Sequence, residues 1–202
     1  EGNQPATETS PLNPRSVYAE TKVAFEEFIT SQSNATDFST TVLRLATAFG
    51  LSPRMRFDLT VSEFSREIAM GRELLVYDEA TWRPYCHVID IADAIIRVIE
   101  APADVVSRQI FNVGGNENNF TKKMIVDELI KRVADAKVTY KAGGFDQRDY
   151  RVSFDKIRAA LDFEPKYSVP DSIEKVVSCV RSGFYSDVED NKNFYGNYVV
   201  TH

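Results

Sequence analysis

The sequence predicts an α/β protein whose strands pair mainly in parallel. Stretches with apolar residues at helical spacing alternate along the chain with short runs rich in β-branched and aromatic residues. That is the order expected of parallel strands joined by helical crossovers. The joining segments vary in length and no stretch repeats another, which argues against a repeat array. At 202 residues and 43% hydrophobic, the chain can build one substantial core or two small ones.

Residues 1–16 are polar, carry Pro5, Pro11 and Pro14, and read as a loop. A helix follows over 17–29, with Val17, Val23, Ala24 and Phe28 at helical spacing and Glu26 and Glu27 on the wetter side. Residues 40–49 form one β-rich run, a strand closed by Gly50. A helix over 57–70 stops at Gly71, and 74–77 is a short strand leading into a loop over 78–84. Residues 87–90 read as a further strand feeding a helix over 91–100. The strand at 109–113 ends in the Gly114–Gly115 turn. Thr121 is a good N-cap for a helix reaching Ala134, and 138–140 is the strand after it. Helices over 155–161 and 172–181 complete the pattern, with Pro170 just before the second; from Ser186 the chain is polar and aromatic without a clear period.

Composition narrows the function. With 24 Lys and Arg against 30 Asp and Glu, the net charge is −6. That argues against a nucleic-acid binder, which needs a basic surface to displace counterions from phosphate. A few local arginines can still hold a diphosphate on such a protein. Cys86 and Cys179 form no CxxC pair, and with His87 and His202 as the two histidines no metal site is expected. No signal-peptide pattern is present and no apolar run approaches ~18 residues, so a soluble, cytoplasmic protein without a membrane partner is expected. His87 has no carboxylate or second histidine spaced to make it a base and reads as structural. Asp90 and Asp93 read as capping and charging the start of the next helix. Trp82 and Tyr85 fit a core or a base-stacking role equally, and Arg54 and Arg56, read alone, are solvated residues at a helix start.

Tyr18 and Lys22 lie four residues apart on the first helix, so they face the same way one turn apart. A phenol with a pKa of about 10 is a poor base at neutral pH. A neighbouring ammonium favours the phenolate. Such a tyrosine can take a proton from a hydroxyl while a hydride leaves the same carbon for a nicotinamide. Chance alone supplies about 0.4 pairs of this spacing in a chain of this composition, so the bare pair is equally a surface pair on an amphipathic helix.

The surroundings of the pair are more specific. Pro14-Arg-Ser-Val-Tyr18-Ala-Glu-Thr21-Lys22-Val-Ala-Phe-Glu26 closely resembles the active-site segment of the extended short-chain dehydrogenases/reductases, the NAD-dependent epimerase/dehydratase type. Leu43-Arg-Leu45-Ala-Thr47-Ala-Phe-Gly50 is similar to the family's LRxxNxxG strand, with Thr47 where many members have asparagine. Ser52-Pro-Arg54-Met-Arg56-Phe-Asp58-Leu is similar to a form found among nucleotide-sugar epimerase-like members. Arg83-Pro84-Tyr85-Cys86-His87-Val88-Ile89-Asp90 resembles the RDYxHVxD block, with Pro84 in place of the usual Asp. Ile110-Phe-Asn-Val-Gly114 matches the (Y/F)N(V/L)G strand end, and Gly143 to Tyr150 followed by Asp155-Lys-Ile157 resembles the late substrate loop. These blocks stand in the family's order.

The resemblance implies the C-terminal part of a Rossmann-like parallel sheet with a small α/β substrate-binding domain. Residues 1–50 and 89–114 would belong to the NAD(P)-binding domain, 51–88 and 115–190 to the nucleotide-sugar domain, and 191–202 to a tail. Tyr18 would be the catalytic acid/base, and Lys22 would hold the nicotinamide ribose and tune it. Leu45 and Thr47 would join them at the cofactor, which would be NAD, with NADP the alternative. Thr47, Arg56, Ser62, Arg83 and Arg148 would contact the substrate, the two last as diphosphate ligands. None of the nine glycines spells GxGxxG or GxxGxxG. The expectation is therefore that residue 1 lies inside a longer protein, after the Gly-rich cofactor loop, and that this chain alone is inactive. The expected activity is a nucleotide-sugar 4-epimerase, with a 4,6-dehydratase, a ketoreductase or a non-catalytic nucleotide-sugar binding module as alternatives. By resemblance the protein is a homodimer through its catalytic helix.

Overall fold

The computed structural model describes residues 4–31, 39–144 and 148–197; His202 lies outside them. The first helix, α1 (Val17–Ser31), precedes β1 (Thr41–Leu45), β2 (Thr47–Phe49), α2 (Thr60–Ala69), β3 (Glu73–Tyr77) and β4 (Trp82–His87). Then come α3 (Val88–Glu100), α4 (Ala103–Val106), β5 (Gln109–Val113), a 3-10 turn (Asn116–Asn118) and β6 (Asn119–Thr121). The chain continues through α5 (Lys122–Arg132), β7 (Lys137–Lys141), α6 (Asp155–Leu161), α7 (Val169–Arg181) and α8 (Lys192–Tyr195).

Pairing is mainly parallel, as the alternation predicts. β1 runs beside β5 from Thr41↔Gln109 to Leu45↔Val113, β2 beside β4 with Thr47 opposite Tyr85, and β3 beside β7. The exception is β6, antiparallel to β4 with Trp82 opposite Thr121 and Pro84 opposite Asn119.

Several boundaries differ from the sequence expectation for identifiable reasons. The run 40–49 is two strands: the Ala46 N–H still reaches the Val113 carbonyl at 3.0 Å, and beyond it the chain leaves β5 for β4. Residues 82–84 belong to β4, which ends at His87, and 88–90 are already helical. His87 caps α3, its Nδ1 accepting the Ile89 N–H at 3.1 Å. Pro84, which lacks a donor, masks this strand in the sequence and sits at the end of the β6 ladder. α2 starts at Thr60 because the Phe57 N–H is donated to the Tyr195 carbonyl at 2.8 Å. α7 starts at Val169, capped by Ser168, and Pro170 lies in its first turn, where a missing N–H costs nothing.

Two main cores result. One gathers Phe49, Val61, Phe64, Ile68, Leu74, Val76, Ile125, Leu129, Ile173 and Val177 from β2, α2, β3, α5 and α7. The other gathers Ala46, Cys86, Ala94, Phe111, Val113, Phe154, Ile157 and Phe163, so α6 packs on β5 although it comes late in the chain. Burial of each large side chain contributes roughly 1.5–3 kcal/mol. A smaller cluster of Met55, Phe57, Val176 and Val188 lies under the C-terminal segment.

Asp90, His87 and Gly50 join these bodies. Asp90 is 1% exposed and accepts the backbone N–H groups of Lys166 at 3.0 Å and Tyr167 at 3.2 Å. It therefore fastens the segment before α7, and the cap expected of it comes from His87. The His87 ring stacks on Tyr167 with centroids 4.3 Å apart and meets Phe49 edge-on. Gly50 has φ +97°, and a Cβ there would lie 2.1 Å from the His87 Nε2, so this position admits only glycine.

Candidate active site

Tyr18 and Lys22 stand one turn apart on α1, with the Lys22 Nζ 5.3 Å from the centroid of the Tyr18 ring. Both are exposed, Tyr18 at 73%. Ser16 begins the helix, its Oγ accepting the Ala19 N–H at 3.2 Å. Arg44 fixes α1 against the sheet: its Nε and Nη2 grip the Glu26 carboxylate at 2.9 and 2.5 Å, and its Nη1 donates to the Glu8 carbonyl. That bidentate pair, above all its hydrogen bonds, raises the Arg44 pKa. Glu8 also accepts the Asn112 N–H at 2.8 Å, tying the loop before α1 to β5. Arg44 and Glu26 stand in separate sequence motifs, and the fold joins them.

Leu45, 51% exposed, and the half-buried Thr47 flank the switch between β1 and β2. On α1 the Lys22 ammonium, which can offer three donors to vicinal hydroxyls, is exposed beside a phenol.

Thr47 pairs with Tyr85, two residues from Arg83 along β4. Arg83 is 7% exposed; its Nη1 donates to the Trp82 carbonyl at 2.8 Å and its guanidinium lies over Tyr150 at 5.4 Å. Tyr150 follows Arg148 by two residues, so the sheet and this stack bring the surroundings of Thr47, Arg83 and Arg148 together. Trp82 is covered by the Arg151 guanidinium at 5.2 Å, and Tyr85, 1% exposed, is a core residue.

Arg56 and Ser62 have other surroundings. The Arg56 guanidinium holds Asp58 at 2.7 and 2.6 Å and the Asn197 Oδ1 at 2.8 Å, and its hydrogen bonds to Asp58 raise its pKa while lowering that of Asp58. Arg54 donates to the Phe194 carbonyl at 2.9 Å, so neither arginine is a free residue at a helix start. Ser62 is 3% exposed within α2, between Val61 and the core residue Phe64.

The Cys86 thiol is pushed up to about 12, chiefly by burial, which leaves it protonated and unreactive at neutral pH. Among the described residues no three His, Cys, Asp or Glu side chains are placed to hold a metal ion, and no helix is long and apolar enough to cross a membrane.

Known structures share this architecture, a Rossmann-like α/β fold. The chain superposes on UDP-glucose 4-epimerase from Thermotoga maritima, solved with UDP-glucose, with a TM-score of 0.77 and 23% identity, covering 89% of this chain and 58% of that one. On dTDP-glucose 4,6-dehydratase from Bacillus anthracis, solved with NAD, the TM-score is 0.76 at 24% identity, covering 96% and 59%. Residues 1–114 match the model of the NAD dependent epimerase/dehydratase family, and the chain belongs to that family. It is 27% identical over 186 residues to a UDP-glucose 4-epimerase of Mycolicibacterium smegmatis, covering 88% of this chain and 57% of the relative. Protein CapI of Staphylococcus aureus is 24% identical over 193 residues, covering 82% and 54%. The chain thus spans little more than half the length of the curated relatives it matches.

Proposed function

We propose that this protein is an NAD-dependent nucleotide-sugar epimerase, most simply a 4-epimerase, with NADP as the alternative cofactor. The observation that carries the reading is the exposed Tyr18 phenol with the Lys22 ammonium one turn away, 5.3 Å from its ring. Tyr18 takes the proton of the sugar hydroxyl as the carbon loses hydride, and returns it when hydride is delivered to the other face. A bound nicotinamide supplies the acceptor and donor of that hydride. Lys22, one turn from the phenol, holds the ribose hydroxyls with its ammonium donors. Leu45 and Thr47 line the cofactor side; Thr47, Arg83 and Arg148 face the substrate diphosphate.

Arg56 and Ser62 are the weaker members of the substrate set, since Arg56 is engaged with Asp58 and Asn197 and Ser62 is buried. Residues 1–50 and 89–114 form the cofactor body and 51–88 with 115–190 the substrate body, α6 folding back onto the first. The homodimer is part of the same proposal and rests on α1, which has no buried residue.

The test supplies the protein, as its host produces it, with NAD and a panel of UDP-, GDP- and dTDP-hexoses, and reads products by NMR. A C4 epimer is expected, and Tyr18→Phe should lower turnover by ~10²-fold or more. A 4-keto-6-deoxy product would make the enzyme a dehydratase using the same pair. Unchanged turnover in Tyr18→Phe would overturn the catalytic assignment. Binding without any product would leave a nucleotide-sugar binding module.

A further inference from the structure

Between β7 and Arg148 the chain passes Gly143 and Gly144, and one carboxylate organises the turn they make. Asp78 ends β3 in the left-handed region, with φ 50°. Its Oδ1 accepts the Gly143 N–H at 3.0 Å and its Oδ2 the Gly144 N–H at 2.8 Å, while its own N–H donates to the Lys141 carbonyl at 2.9 Å. Its carbonyl accepts both the N–H and the hydroxyl of Thr81, fixing the turn toward Arg83. A single residue thus ties the turn after β7 to the turn before β4. Gly143 is required by its φ of +86°, and a Cβ on Gly144 would lie 2.6 Å from the Asp78 Oδ2, so Gly144 is fitted to this carboxylate. A second tie lies past Arg148: the Asp149 Oδ1 accepts the Trp82 N–H at 2.8 Å, and the Tyr150 N–H reaches the Trp82 carbonyl at 3.3 Å.

We infer that Asp78 is a positioning residue, a latch that sets the Arg148 segment against the Arg83 strand so that both guanidiniums meet one diphosphate. The inference rests on the proposed nucleotide-sugar function for its ligand, and on the hydrogen bonds above for its geometry. A carboxylate accepting two consecutive backbone N–H groups holds a turn with charge-assisted bonds that a neutral side chain does not replace. Asp78→Ala frees both glycine amides; Asp78→Asn keeps one oxygen acceptor and rescues in part.

Two measurements on the 202-residue chain test it. The first is amide hydrogen exchange at Gly143, Gly144 and Tyr150. Asp78→Ala is expected to speed exchange at all three and Asp78→Asn to do so less; unchanged exchange at Tyr150 overturns the latch. The second is calorimetric binding of UDP and of uridine. Asp78→Ala is expected to weaken UDP at least tenfold and uridine less than twofold, with no further loss in an Arg148→Ala background. Equal losses for the two ligands, or losses that multiply in the double variant, overturn it by showing a general defect. If the unaltered chain binds UDP no better than uridine, the diphosphate reading itself fails, and the exchange result alone decides whether Asp78 orders the turn.

Discussion

His87 shows what a single residue does between the two cores. Its Nδ1 is an acceptor for the first turn of α3, so the ring must be neutral, and its Nε2 lies over the glycine that leaves β2. Burial lowers its pKa below 6.5; Asp90 pulls it up, and Lys175, which lies over Tyr167, pushes it down. The sign follows from linkage. Above pH 6.5 neither the folded nor the unfolded chain takes the proton, and the cap is intact. As pH falls below 6.5 the unfolded chain is protonated while the folded one resists, so stability declines until the lowered folded value is passed. Urea midpoints for the protein and for His87→Asn, which caps without titrating, should separate between about pH 7.5 and about pH 5, the unaltered protein losing more. Parallel losses would show that the ring contributes nothing. A structural role for His87 was legible because no carboxylate or second histidine is spaced to make it a base. Its stacking on Tyr167 was not, because ring contacts between distant segments leave no local pattern.

Among the elements, those with strong local signals were legible and those made by distant pairing were not. Thr121 caps α5 as its sequence indicates, its Oγ1 accepting the Met124 N–H at 3.1 Å. β6 is three residues long and exists because β4 offers an edge, which no periodicity reveals. The Tyr18–Lys22 pair was legible because helix geometry alone sets it, whereas the surroundings of Arg56 depend on Asn197 at the far end of the chain. α1 was legible as an amphipathic helix, yet it exposes Val17 at 74%, Phe25 at 63% and Phe28 at 57%. An apolar stripe of this kind on a helix joined to the sheet through Arg44 is the face on which the proposed homodimer rests. Phe28→Glu places a charge there away from the Tyr18–Lys22 pair and should convert the dimer to monomer in sedimentation velocity. A monomeric unaltered protein, or a dimer indifferent to the charge, would remove the proposal.

For the whole molecule, the fold class followed from alternation alone, while the route of the C-terminal segment did not. Residues without a clear period prove to strap the 51–58 loop from outside. Tyr195 contributes its carbonyl to the Phe57 N–H and its ring to the cluster around Phe57, and Phe194 and Asn197 accept from Arg54 and Arg56. Val188, 5% exposed, closes the same cluster over Met55, 1% exposed, and Phe57, 7% exposed. Glu189 adds ion pairs to Arg66 and Arg72 whose hydrogen bonds hold its carboxyl at about 2, but at this exposure such pairs add little stability. The apolar contacts therefore decide the cost of losing the strap. A chain ending at Asp187 lacks the packing of Val188 and Tyr195 and uncovers Met55 and Phe57, a loss of about 3–6 kcal/mol for two side chains at roughly 1.5–3 kcal/mol each. Urea denaturation should show that loss, and trypsin should gain access after Arg54 and Arg56, whose side chains the strap otherwise engages. An unchanged midpoint with no new cleavage would mean that the loop holds its shape unaided, and the strap would then be packing without consequence for the strand end that carries Thr47.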